Sequence, residues 1–304
     1  MQNWNDIYYT AQDGLRLHAR FYPGPLTTRR AALCLPSFTG NSREFHALAS
    51  ALSSPENPTA RSVLTVDYRG RGHSDFDRNW RNYTLQNELY DALDLLTIAG
   101  FSEVAVVGTS RGGLIAMLMA CLRPAALGAV VLNDIGPIIE REGLIRHIAY
   151  VGRIPVPPTW EDATALVRNI NRKFFPAIPD EQWPAIARQW FNDDHNRPSK
   201  AYDPHIARML AVLDTPNVDL WPQFNAFSGR PAMAIRGSLS DILSEKTFNE
   251  MRARMPSLVT HTVRDQGHAP LLRDRSTILA INDFLASADN RQDHDADDDR
   301  YAAA

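Results

Sequence analysis

Short apolar runs alternate along this chain with longer amphipathic stretches. The apolar runs at 31–35, 62–66, 103–107, 127–134, 231–237 and 258–263 are rich in β-branched residues and read as buried strands. Two more, 7–11 and 15–22, flank Asp13-Gly14, a hairpin signal. The polar alternation in 15–22 marks a half-buried edge strand. Helical periodicity fits 43–53, 84–99 up to Gly100, 113–122 up to Pro124, 245–254 and 275–286. Strands alternating with helices predict a mostly parallel, eight-stranded α/β sheet with helices on both faces and an antiparallel edge.

The rhythm breaks at Gly136. Residues 137–225 are irregular and rich in Pro, Trp and Phe, with helical pieces near 140–150, 161–173, 180–192 and 203–213. Four of the six tryptophans fall here: Trp160, Trp183, Trp190 and Trp221. This pattern divides the chain into a core at 1–135 and 226–288, a helical lid inserted at 136–225, and an acidic, disordered tail at 289–304. The lid is expected over the carboxyl ends of the strands, where open α/β sheets bind ligands.

Composition narrows the function. The 304 residues are 44% hydrophobic and 22% charged, enough for a large packed core. The net charge is −3, much of it in the tail, so nothing favours nucleic acid or a membrane surface. Cys34 and Cys121 both sit in apolar runs and read as core hydrophobes rather than a disulfide or metal pair. No signal peptide or membrane-length run is visible, and a cytoplasmic protein without metal or cofactor is expected. Gly70-Arg71-Gly72 lacks the third glycine of a dinucleotide fingerprint, since Asp75 stands in its place.

The candidate chemistry centres on Gly108-Thr109-Ser110-Arg111-Gly112, between a buried strand and a buried helix. A serine at such a turn is a nucleophile elbow, and the following helix points amides at any charge developing there. The competing reading is a serine that merely caps the helix. A serine nucleophile also needs a base, an orienting acid and an oxyanion site. His268, in the loop Asp265-Gln266-Gly267-His268 after the last strand, is the candidate base. Asp241, after the strand at 231–237, is the preferred acid, and Asp134, at the end of the strand at 127–134, is the alternative.

Together the elbow, the loop 36–40, the run 67–75 and the late Asp and His resemble the α/β-hydrolase superfamily over residues 5–287. The resemblance implies an esterase-like serine enzyme with a helical lid. It places the oxyanion donors at the amides of Arg111 and Phe38, with Pro36-Ser37 standing where relatives commonly carry His-Gly. Asp67, Arg69 and His73 then belong to a structural loop beside the site. Relatives that open epoxides or displace halides use an aspartate as nucleophile, so Ser110 points instead to an ester, lactone or thioester. Trp160, Phe174, Trp183 and Trp190 are candidate walls of a pocket for a small hydrophobic ester-like substrate. A carbon–carbon bond hydrolase, an acyltransferase, and a ligand receptor on the same fold are the alternatives. Arg111, Arg141, Arg146 and Arg153 would serve a carboxylated substrate in the first of these.

Overall fold

The computed structural model describes residues 2–25, 29–214 and 219–302. The Asp13-Gly14 hairpin joins β1 (Asn5–Thr10) to β2 (Arg16–Tyr22), with Tyr9 opposite Leu17. β3 (Ala31–Leu35), α1 (His46–Ser53), β4 (Val63–Asp67), α2 (Leu85–Ala99), β5 (Val104–Thr109), α3 (Arg111–Leu122) and β6 (Leu127–Asn133) follow. The insertion carries α4 (Arg141–Ile148), α5 (Trp160–Asn171), α6 (Trp183–Trp190), the hairpin β7 (Phe191–Asp194) and β8 (Arg197–Lys200), and α7 (Trp221–Asn225). β9 (Ala232–Gly237), α8 (Glu245–Arg254), β10 (Val259–Val263) and α9 (Arg275–Ala302) complete the chain. The eight-stranded sheet has the order β1-β2-β4-β3-β5-β6-β9-β10. β2 pairs antiparallel with β1 and β4, and the remaining pairs are parallel.

The period of two along each strand divides the core into two layers. Leu33, Leu35, Val104, Val106, Val130 and Leu132 face one way, against α2, α3, α7 and α8. Cys34, Ala105, Val107, Val131 and Ile235 face the other, against α1 and α9. β3 to β6 are buried along their whole length, which is why their sequences are unbroken apolar runs rather than alternating ones.

Several expectations are corrected. α9 continues to Ala302, where a disordered tail was expected from 289. No Gly or Pro follows Pro270, so nothing in the local sequence stops the helix. Asp289 also pairs with the buried Arg61 at 3.0 Å. The β7–β8 hairpin has no apolar alternation to announce it. It is made by a two-residue turn with His195 and Asn196 both at positive φ. The helical piece expected at 203–213 is a run of 3₁₀ turns over Pro204–Asp214. Trp221 and Phe224, both on α7, pack edge to face in the larger core layer with α2 and α3. Cys121 is exposed, on the last turn of α3, whereas Cys34 is buried. No helix among the described residues is long and apolar enough to cross a membrane.

The loop after β4 is fixed by buried charge. Asp67 accepts hydrogen bonds from the Ser42 amide (2.6 Å), the His18 ring Nδ1 (2.7 Å) and the His73 amide (2.8 Å). Arg69 grips Asp91 with two parallel bonds of 2.7 Å and reaches Asp13 and Asp77 as well. Burial works against the Asp67 charge, yet His18 and the amide donors hold its carboxyl well below the ordinary carboxylate range. Its contribution to stability is therefore complete above the unfolded value of about 3.9 and fades as pH falls toward the folded value. Asp67→Asn is expected to cost about 3–5 kcal/mol at pH 7. In urea unfolding, the gap to wild type should narrow progressively as pH falls below about 4, and a gap independent of pH would contradict this assignment.

Candidate active site

β5 ends at Thr109 and α3 begins at Arg111, leaving Ser110 alone at the bend with φ 51° and ψ −109°. A non-glycine residue in that conformation is strained, as a nucleophile elbow requires. The flanking glycines let the bend close. A Cβ on Gly112 would lie 2.0 Å from the Leu35 carbonyl oxygen, and one on Gly108 would lie 2.5 Å from the Gly112 carbonyl carbon. The Ser110 side chain makes no capping bond to α3, so the helix-cap reading fails.

Its hydroxyl instead meets His268 Nε2 at 2.8 Å. His268 stands on the loop after β10, as expected, and that loop is tied to the end of β6. Asn133 Nδ2 donates to the Pro270 carbonyl (2.9 Å) and to Thr109 Oγ1 (3.0 Å). The other imidazole nitrogen, Nδ1, lies 2.8 Å from Asp134 Oδ2. Asp134 is fully buried and also accepts from the Gly237 amide (2.8 Å) and the Ser240 hydroxyl (2.6 Å).

The preference for Asp241 as the acid is thus corrected: the partner of His268 is Asp134. Chain order did not separate the two, since both fall between Ser110 and His268. Geometry does. The turn after β9 delivers Gly237 and Ser240 to Asp134 as donors, and it carries Asp241 away toward the insertion. There Asp241 takes Arg146 of α4 through Nε (2.5 Å) and Nη2 (2.9 Å). Burial opposes the Asp241 charge, but His147 and Arg146 together hold its carboxyl well below the usual range. Arg146 in turn lies over the Phe174 ring at 3.8 Å. His147 sets its ring edge-on against His268, with centroids 4.8 Å apart. Asp241 therefore pins the helix that flanks the imidazole.

The loop after β3 is held from below by Glu44, which accepts from the Ser37 amide (3.0 Å) and the Ser37 hydroxyl (2.6 Å). Burial raises the Glu44 carboxyl above its ordinary range, against the pull of Ser37. Sequence reading did not single out Glu44. Its signal was Gly40, where a Cβ would collide with that carboxyl.

Ser110, His268, Phe38 and Arg111 all open on one cavity of about 710 Å³ between the core and the insertion. Its walls are mostly aliphatic and aromatic. Phe174, Trp183 and Trp190 line it as expected. Trp160 does not: it packs beside the insertion's own small core, under the Arg188 guanidinium at 4.2 Å. Among the described residues, no group of three or more His, Cys, Asp or Glu side chains is placed to hold a metal.

Comparison with known proteins agrees with this architecture. Residues 32–280 match the model of the alpha/beta hydrolase family. The chain is 30% identical over 285 residues to a 3-hydroxybutyrate-oligomer hydrolase of Cupriavidus necator, covering 90% of this chain and 94% of that protein. It is 25% identical over 262 residues to an sn-1-specific diacylglycerol lipase of Mus musculus, covering 85% and 82%. Among solved structures, an alpha/beta hydrolase from Novosphingobium aromaticivorans superposes with a TM-score of 0.86 at 37% identity, over 94% of this chain and 99% of that one. With the sheet order, the strained elbow serine and the late histidine already in place, these matches show that the chain is a hydrolase belonging to the alpha/beta hydrolase family.

Proposed function

We propose that this hydrolase cleaves carboxylic esters through an acyl-enzyme on Ser110, and that short linear esters of 3-hydroxy acids are its first candidate substrates. The observation carrying the reading is the unbroken hydrogen-bond chain from Ser110 through His268 to Asp134, opening on an apolar cavity. The substrate class follows the Cupriavidus necator relative, with which similarity runs nearly end to end.

In the resting site, Nδ1–H of His268 donates to Asp134, which leaves Nε2 free to accept the Ser110 proton. Ser110 Oγ attacks the ester carbonyl as that proton moves to Nε2. The amides of Phe38 and Arg111 receive the oxyanion, the first from the loop after β3 and the second from the start of α3. The imidazolium then returns its proton to the leaving alcohol. Water, deprotonated by the same nitrogen, releases the acid and restores the serine. Asp134 stabilises the imidazolium in both halves and fixes the productive tautomer.

The insertion acts as a lid that shapes the acyl site. Its charge pattern weighs against a carboxylated carbon–carbon substrate. Arg146 is already bound to Asp241 and Arg111 to Glu88, while Arg141 and Arg153 are exposed and do not line the cavity.

A panel of p-nitrophenyl esters with Ser110→Ala as control tests the reading, with 3-hydroxybutyrate dimer and trimer alongside. kcat/KM should rise roughly fourfold per added acyl methylene until the cavity fills, from about 0.8 kcal/mol per buried CH₂. Ile139 lines the cavity, and filling it with Ile139→Trp should flatten that series. A preference for acetate over every longer chain would contradict an apolar acyl site.

A further inference from the structure

Phe38 and Arg111, far apart in sequence, are tied together behind the site by a buried ionic bridge that the reaction itself does not use. Glu88, on α2, is fully buried. One of its oxygens meets Arg111 Nε at 2.5 Å, and the other pairs with Arg71 Nη1 at 2.9 Å. Arg71 is also fully buried, and its Nε donates to the Phe38 carbonyl at 3.1 Å. Its Nη1 donates to the Arg69 carbonyl at 2.7 Å, anchoring the guanidinium to the core loop. The Phe38 ring lies near both cations, 5.1 Å from the Arg111 guanidinium and 5.7 Å from that of Arg71. Arg111 completes the frame by donating to the Tyr83 carbonyl at 2.9 Å.

Burying the Arg71 and Glu88 charges completely, with Arg111 mostly buried beside them, is costly, and packed apolar side chains there are often at least as stable. A structural role alone gives little reason for them to converge on these two residues. We infer that Arg71 and Glu88 are positioning residues that set the spacing of the two oxyanion donors, Arg71 by holding the Phe38 peptide and Glu88 by holding Arg71 to Arg111. The inference rests on the reading of Phe38 and Arg111 as those donors. A guanidinium is needed at position 71 because its planar fork reaches Phe38, Arg69 and Glu88 at once. An ammonium keeps the charge and loses the fork.

The test compares wild type, Arg71→Lys and Arg71→Met by the rate at which a fluorophosphonate modifies Ser110. In that reaction serine oxygen displaces fluoride from phosphorus, and the phosphoryl oxygen occupies the oxyanion site. Arg71→Met leaves the Glu88–Arg111 pair balanced and Arg71→Lys keeps the original charges, so both variants are suited to folding, and urea unfolding scores the folded fraction. Arg71→Lys is expected to regain most of the stability lost in Arg71→Met. Both should modify Ser110 about 10- to 100-fold more slowly than wild type at saturating reagent, the scale of a displaced donor. A merely structural role would make rate follow the folded fraction, with Arg71→Lys reacting like wild type, and that result would overturn the assignment. Fluorophosphonate rates do not depend on an ester substrate being turned over, so loss of the ester reading alone leaves this test intact. No modification of wild-type Ser110 would overturn the nucleophile reading and this role together.

Discussion

Ser110→Ala is expected to lower kcat by about 10⁴- to 10⁶-fold on every ester the wild type hydrolyses, with KM changed little. Its hydroxyl is the atom 2.8 Å from His268 Nε2, and it makes no bond to the helix that follows. On the proposed mechanism, removing it deletes the nucleophile and leaves the fold, the cavity and the amide donors in place. His268→Ala should fall in the same range, and the double variant should fall no further than either alone, because the two residues act as a unit. Equal kcat in wild type and Ser110→Ala would show that another group attacks the substrate.

Asp134→Asn is the second large effect, at about 10⁴-fold in kcat, the loss expected when the base is held in the wrong tautomer. An amide at 134 can present N–H to His268 Nδ1, which moves the ring proton to Nε2 and blocks acceptance from Ser110. The Gly237 amide keeps its acceptor in the amide oxygen, and the Ser240 hydroxyl, which shares the other position with His268, can rotate to accept from the new N–H, so the folded state should change little. Asp241→Asn is expected to lower kcat less than about tenfold, since it loosens Arg146 and α4 without touching the imidazole. Steady-state kinetics on one p-nitrophenyl ester compares the two directly, and a larger loss from Asp241→Asn would return the acid to the turn after β9.

The contrast between these aspartates marks how far the sequence could be read. The strands were legible because a parallel sheet buries both faces and writes itself as apolar runs such as Val104–Thr109. The elbow was legible because its glycines are required by backbone contact: Gly112 sits against the Leu35 carbonyl. His268 followed from its place after the last strand. The acid did not, because its identity depends on which of two strand ends turns toward His268, and that is fixed by hydrogen bonds between β6 and β9 that leave no periodic signal. The same limit hid the Arg71–Glu88 bridge, whose members lie on a loop and a helix with nothing in their spacing to join them. Trp160 failed for a different reason. Aromatic content locates an apolar cluster and does not say whether a ring faces the cavity or the insertion's own core.

The most direct test is to mix the enzyme with a slowly hydrolysed p-nitrophenyl ester, quench with acid, and locate any added mass by peptide sequencing in a mass spectrometer. A burst of p-nitrophenol equal to the enzyme present, with the acyl group on Ser110 and absent from Ser110→Ala, is the expected result. Steady turnover without a burst, retained in Ser110→Ala and with no acyl group on that serine, would contradict it.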